Sequence, residues 1–297
     1  MTGPVVSRFA RALAGLLVLA AVLTGCGKDS PTDLAKARQG AAMLVAQKTA
    51  VAFFTLDPDK VAKQVDAVLR LATGRFKREY GEKRDEVVRN VGTKKLRVSG
   101  LVLDGGVALE SFKASEADVL VAVDVRSQES TRAATTNRYR LRLTVNRTGS
   151  TWRTSNLEQL SGVAGPGSYK PGGLSTSDDA VTRAATSGVA AALAYDYKSL
   201  DAGLAKALAL MTPSFGSTFQ KTFNATARPL AEQKKATTAS YVRGTGLLER
   251  SGTKARCLVF VDQVLDPATK AQVVEARVFV DLERVHGVWL VDNLTPF

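Results

Sequence analysis

The sequence predicts an α+β protein in which one unit, helices followed by a meander of antiparallel strands, is written twice. Three observations carry this. The stretches Asn137 to Leu160 and Val274 to Phe297 superpose at a constant offset, so that Arg140 falls on Arg277, Arg147 on Arg284, Trp152 on Trp289, Asn156 on Asn293 and Leu157 on Leu294. Both alternate along a strand, Tyr139, Leu141, Leu143 and Val145 against Ala276, Val278, Val280 and Leu282. A turn signal precedes each Trp (Thr148-Gly149-Ser150, His286-Gly287), the pattern of a β-hairpin with one apolar face. Upstream, Ala117 to Asp124 matches Ala255 to Asp262 and Thr73 to Tyr80 matches Thr212 to Phe219, with small offset changes between elements. That is the signature of a tandem duplication of a unit of roughly 120 residues.

The chain opens on an address. Arg8 and Arg11 lead an apolar run from Ala12 to Val22, which ends in Leu23-Thr24-Gly25-Cys26. The run is short for a bilayer span and suits a signal-peptide core. Its ending resembles the bacterial lipoprotein signal, which implies cleavage before Cys26, acylation of its sulfur and attachment to the lipid bilayer on the extracytoplasmic face of the cell membrane. Residues 1–26 are therefore read as a lipoprotein signal peptide. Acyl chains contribute about 0.8 kcal/mol per buried methylene, so a multiply acylated Cys26 anchors durably. With Cys26 used, Cys257 has no partner for a disulfide, and its place in an apolar strand, where the first copy has Val119, predicts a small buried side chain.

Ser30-Pro31-Thr32-Asp33 reads as a helix start, with Ser as cap and Pro at the first helical position, and the helix is expected to run to about Leu56. Asp57-Pro58-Asp59 breaks it. A second helix carries Val61, Val65, Val68, Leu69 and Leu71, and a charged third segment covers Arg75 to Val91. Residues 94–160 alternate as strands, with Asp104-Gly105-Gly106 the clearest turn. The first domain is thus placed at 30–160.

Eleven of the 19 residues in 161–179 are Gly, Pro or Ser, which predicts an exposed flexible linker. Ser177-Asp178-Asp179 can cap a helix over Ala180 to Ala194. The plan then recurs through residue 297: a break at Tyr195-Asp196-Tyr197, a helix with Leu200, Leu204, Leu208 and Met211, a helix from Ser214 to about Lys235, and four strands. The second domain is placed at 180–297.

The element order, the Tyr-Asp-Tyr break, the strand Leu258-Val259-Phe260-Val261-Asp262 and the ending Trp289-Leu290-Val291-Asp292 resemble the actinobacterial Mce-associated proteins. The resemblance covers most of residues 180–297. It implies two tandem cystatin-like cone domains of the nuclear-transport-factor-2 superfamily, each with three N-terminal helices packed on a curved four-stranded antiparallel sheet. The chain departs from that family in having two such domains behind a lipoprotein signal, where members have one behind a transmembrane helix.

Charge separates the copies. The chain carries 41 Lys+Arg against 28 Asp+Glu, and residues 27–160 hold 24 against 16, whereas residues 180–297 hold 14 against 10. Arg75, Lys77, Arg78, Lys83 and Arg84 crowd the third helix, and Arg138, Arg140 and Arg142 alternate on the polar side of a strand. These eight are the candidate membrane- or partner-facing residues, because a basic residue near an anionic bilayer contributes about 1 kcal/mol. A solvated helix face and edge strand is the competing structural reading. Nucleic acid is not expected, since no aromatic residues interleave with the basic ones.

No cofactor or metal site is expected. The chain has one His, His286, in a hairpin turn, and no Gly-rich phosphate loop or Gly-x-Ser-x-Gly elbow. No catalytic residue is assigned. Asp124 and Asp262, equivalent in the two copies, are the residual candidates for a general base, as in cone-shaped isomerases and cyclases, against a plainer role as strand-end residues. The reading that follows is a non-enzymatic accessory or scaffold protein with an envelope protein partner, in particular Mce-type lipid import. The alternatives are a cone holding a lipid or other apolar ligand, an isomerase- or cyclase-like enzyme, and a conjugation-channel component.

Overall fold

A computed structural model describes residues 31–130, 132–161, 169–266 and 272–297. The leader, Cys26 and linker residues 162–168 lie outside the described residues. The first unit contains α1 (Pro31–Phe53), α2 (Val61–Leu71), α3 (Gly74–Glu82), α4 (Arg84–Lys94) and strands β1 (Leu96–Phe112), β2 (Glu116–Glu129), β3 (Thr135–Thr148) and β4 (Thr151–Gln159). The second contains α5 (Thr176–Ala192), the two-residue β5 (Tyr195–Asp196), α6 (Leu200–Leu208), α7 (Pro213–Thr222), a π-helical turn (Phe223–Ala227) and α8 (Arg228–Lys234). Its strands are β6 (Thr237–Ser251), β7 (Lys254–Asp266), β8 (Gln272–Val285) and β9 (Val288–Pro296). Each unit is helices on one face of a four-stranded antiparallel meander.

The two units repeat their internal bonds. Thr73 N–H donates to Thr154 O (2.8 Å) and Thr212 N–H to Val291 O (2.9 Å), tying the third helical segment of each unit to its last strand. Lys95 and Lys235 end those segments in the left-handed conformation, each at φ 48°, a position where Gly is commonest. Helices form where apolar spacing allows: Val61, Val65 and Val68 line one face of α2 and are buried. Ser175 rather than Ser177 caps α5, accepting from Asp178 N–H at 3.3 Å, so the helix starts earlier than its acids suggest. The expected single helix over Arg75 to Val91 is divided at Lys83, where α3 ends and α4 begins. Phe76 and Tyr80 of α3 and Val91 of α4 pack in one cluster with Val61, Val65 and Val68 of α2.

Asp104-Gly105-Gly106 is not a turn between strands. β1 runs through it as a bulge, its register against β2 shifting between Val102 and Val107, whereas β6 has a smaller shift between Val242 and Gly244. Gly105 adopts φ +73°, and a Cβ there would lie 3.0 Å from Phe279 of the second unit. The turn chemistry is real, but it serves a contact between units.

The strand order is β4-β3-β2-β1-β6-β7-β8-β9, with β1 meeting β6 antiparallel at Leu109 and Leu247. These two residues are themselves repeat equivalents, since Leu109 pairs with Val119 and Leu247 with Cys257. The units are thus related as in a two-fold dimer, the same surface of each meeting the other. The helix-facing sides hold two cores, one built on Val119, Val121, Val123 and Leu141, the other on Cys257, Val259, Val261 and Val280. The helix-free sides make a third: Ala108, Leu120, Ala122 and Leu160 pack with Leu258 and Phe260. Strands β2 and β7 are buried on both faces, which explains their unbroken apolar runs.

Candidate functional site

The polar groups with most at stake lie in this seam between the units. Successive strand residues point to opposite faces, so the one-in-two spacing that sends Leu141 and Leu143 to the helices sends Arg140 and Arg142 to the seam. Arg140 Nη2 lies 2.7 Å from Asp262 Oδ1 and 3.1 Å from Glu275 Oε2, and Arg140 Nη1–H donates to Val261 O at 3.1 Å. The equivalent pair runs the other way: Arg277 Nη1 lies 2.7 Å from Asp124 Oδ1. Arg140 and Asp262 are 2 % and 0 % exposed; Asp124 retains 24 %. Arg243 adds a further contact to Asp262 at 3.7 Å.

Away from these pairs the two halves of the seam differ. In the first unit Glu110 accepts from Arg142 Nη2 at 2.9 Å, and Arg142 also donates to Arg243 O at 2.7 Å. In the second unit the equivalent positions are Leu248 and Phe279, and Phe279 stacks on Phe297 with centroids 4.0 Å apart. Burial pushes the Glu110 carboxyl above its ordinary range, partly offset by Arg142. For Arg142 burial acts downward, but its hydrogen bonds to Glu110 and Glu158 and the charges of those two carboxylates together outweigh it, and the guanidinium is held more firmly charged. Tyr169 closes this side: its hydroxyl donates to Thr245 O (3.2 Å) and accepts from Thr245 N–H (3.0 Å), and burial raises its pKa. A residue expected in an exposed linker is therefore packed into the seam.

Two of the eight basic candidates need correction. Arg140 is buried against Asp262, and Arg142 is largely enclosed with Glu110, so neither faces a membrane or an external partner. The second face of this strand is covered by the other unit rather than by solvent. Arg138 is exposed on β3, apart from the helical group. Arg75, Lys77, Arg78, Lys83 and Arg84 are brought together on α3 and α4. Arg75 pairs with Glu79, Lys83 with Glu86, and Arg84 with Asp66 at 2.8 Å, a bond that lowers the Asp66 carboxyl's pKa. Such exposed pairs add little stability. The sequence signal for the seam was present in Leu120-Val121-Ala122 and Leu258-Val259-Phe260, apolar on both faces where a half-solvated strand alternates.

Asp124 and Asp262, the acids with a case as general bases, are the ones the two arginines hold. The helix-facing sides of both sheets are filled by aliphatic side chains. Among the described residues no group of three or more His, Cys, Asp or Glu could hold a metal ion, and no helix is long and apolar enough to cross a membrane. Cys257 is buried and its thiol pushed up by burial.

The family described as "Uncharacterized protein Rv1363c/MT1408-like" matches residues 7–161, just over half of the chain. The chain belongs to that family. The match spans the whole helix-and-strand series of the first unit. A curated relative of this Rv1363c/MT1408-like chain, Outer membrane protein Rv1973 of Mycobacterium tuberculosis, is 28% identical over 115 residues, which is 38% of this chain and 72% of the relative. Among solved structures, an IcmL-like type IV secretion system protein from Legionella pneumophila aligns with a TM-score of 0.38 at 15% identity, over 42% of this chain and 96% of that one. An Ntf2 like protein involved in plasmid conjugation aligns with a TM-score of 0.31 at 11% identity, over 88% and 97%.

Proposed function

We propose that this chain is a non-enzymatic component of the bacterial cell envelope, a two-unit platform that supports or contacts a membrane complex. The observation that carries the reading is the use made of Asp124 and Asp262. A general base needs a carboxylate open to substrate, and each of these is bound to an arginine of the opposite unit. The similarity to Outer membrane protein Rv1973 supports an envelope location.

The finer reading is that acylated Cys26 ties the chain to the lipid bilayer on its extracytoplasmic face, with the α3–α4 surface turned toward anionic headgroups or an acidic partner. Lys77 and Arg78 stay exposed there and would each add about 1 kcal/mol near an anionic surface. The partner proposed is an envelope complex of the Mce lipid-import type, following the resemblance of residues 180–297. Crosslinking the protein in intact cells and identifying what co-purifies tests this. Recovery of components of one envelope complex is the expected result; recovery of none counts against the platform reading. Cys26→Ala is expected to shift the protein from the membrane to the soluble fraction, and continued membrane retention would remove the lipid anchor from the proposal.

A further inference from the structure

On the outer side of the first unit, away from the seam, a mainly apolar trough of about 500 Å³ runs between α1 and α2, lined by Leu44, Val51, Ala52 and Ala67 together with Gln47 and Lys48. Leu44 is 48% exposed at its edge. Thr55 and Gln64 form one end of the trough, and the same two residues begin a second concavity of about 350 Å³ that is polar. This in turn shares Arg97 and Gln128 with a third, of about 570 Å³. The three adjoin one another through these shared side chains.

Its polar end is cationic. Lys60 precedes α2, Lys95 follows α4, Arg97 lies on β1 and Arg126 on β2, so the four cations come from four separate places in the first unit. Two acids are present, Asp57 and Asp59, and both are engaged by Arg97. Four cations against two carboxylates leave a surplus of positive charge. Ser99 and Ser130 add hydroxyls to the same walls. An apolar trough ending in a cationic, hydroxyl-lined cleft matches a molecule with one alkyl chain and an anionic head, and the volumes fall in the range of small-molecule sites.

We propose that this depression binds a single anionic amphiphile, its alkyl chain between α1 and α2 and its phosphate or carboxylate head among Lys60, Lys95, Arg97 and Arg126. The site is on the outside of the helical layer, distinct from the interior of the cone, and it stands apart from the anchoring and platform readings. Charge complementarity sets the direction of binding. The trough alone would accept any alkyl chain; the cleft selects the head.

The test uses the full chain in neutral phosphatidylcholine vesicles, with two photoactivatable probes that share a dodecyl chain carrying a terminal diazirine. One ends in phosphate and the other in a neutral hydroxyl. Peptide mapping after illumination is expected to place label from the phosphate probe within residues 44–67. The double variant K60Q/R126Q, which alters two exposed side chains, is expected to lower that labelling by at least about fivefold, the factor equivalent to about 1 kcal/mol for a surface cation. Ala67→Trp, which fills the trough, is expected to remove it. Equal labelling by the two probes, labelling unchanged in K60Q/R126Q, or label lying elsewhere on the chain overturns the proposal. If Ala67→Trp does not fold, as read from its thermal melt, the exposed-residue variant and the probe comparison still decide.

Discussion

Arg140 of the first unit and Asp262 of the second meet at 2.7 Å with essentially no access to water, and their repeat equivalents Arg277 and Asp124 meet at the same distance in the opposite direction. A symmetric dimer makes each contact twice, and this single chain does the same. The first prediction concerns this pair. Breaking a buried ion pair from one side strands a charge, at a cost of about 3–5 kcal/mol. Asp262→Asn is therefore expected to lower stability by about that much in urea unfolding, and Asp124→Asn by less, because Asp124 keeps contact with solvent. The double variant R140M/D262L is expected to recover most of the loss, since neither charge of the pair is left buried without the other. Equal losses for the single and double variants would show that the ion pair is not the unit of stabilisation.

Gly246 sets how closely β1 and β6 approach. A Cβ at Gly246 would stand 2.5 Å from Cβ of Ala108, its repeat equivalent across the pseudo-two-fold axis. Gly246→Ala is expected to cost about 1–3 kcal/mol by overpacking. The exchange A108G/G246A moves the same methyl to the other side and should restore near wild-type stability. A destabilised exchange variant would mean that backbone conformation, not the methyl contact, decides.

Glu110 supplies a pH signature. Burial raises its carboxyl above the ordinary value of 4.5, so the folded chain holds this proton to higher pH than the unfolded chain does. Its contribution to stability is complete below the unfolded value and is lost as pH rises through the folded one. Urea midpoints of wild type and Glu110→Gln compared from about pH 4 to about pH 7 should show wild type losing stability relative to the variant as pH rises. Parallel curves would indicate that Arg142 cancels the burial effect.

Cys257 is fully buried, and burial disfavours its thiolate. A thiol reagent at about pH 8 is expected to leave it unmodified in the folded protein and to label it at the rate of unfolding. Rapid labelling under native conditions would place it at an opening in the second unit.

Much of the fold can be read from residue spacing. The recurring helix-then-strand plan shows in the Trp-turn pattern, the apolar face of α2 in its valines, and the hairpins in their turns, because each depends on neighbours a few residues away. The helix break at Lys83 does not show, because it follows from where Phe76, Tyr80 and Val91 must reach on α2. The candidate site was legible only as a list of charges. Arg75, Lys77 and Arg78 share a helix and could be grouped from spacing alone; the trough and cleft that link Leu44 to Arg126 join residues far apart in the chain and have no local signal.

Residue spacing alone specifies a helix-then-strand order that occurs twice, which strand residues alternate, and that Asp124 and Asp262 hold matching places in the two series. Only the tertiary structure decided what those equivalent residues face. A strand's period of two assigns its side chains to two faces but cannot say what covers the second one, water, membrane or another sheet. Here the other unit covers it, so Arg140 and Arg277 are paired inside the protein rather than presented outside it.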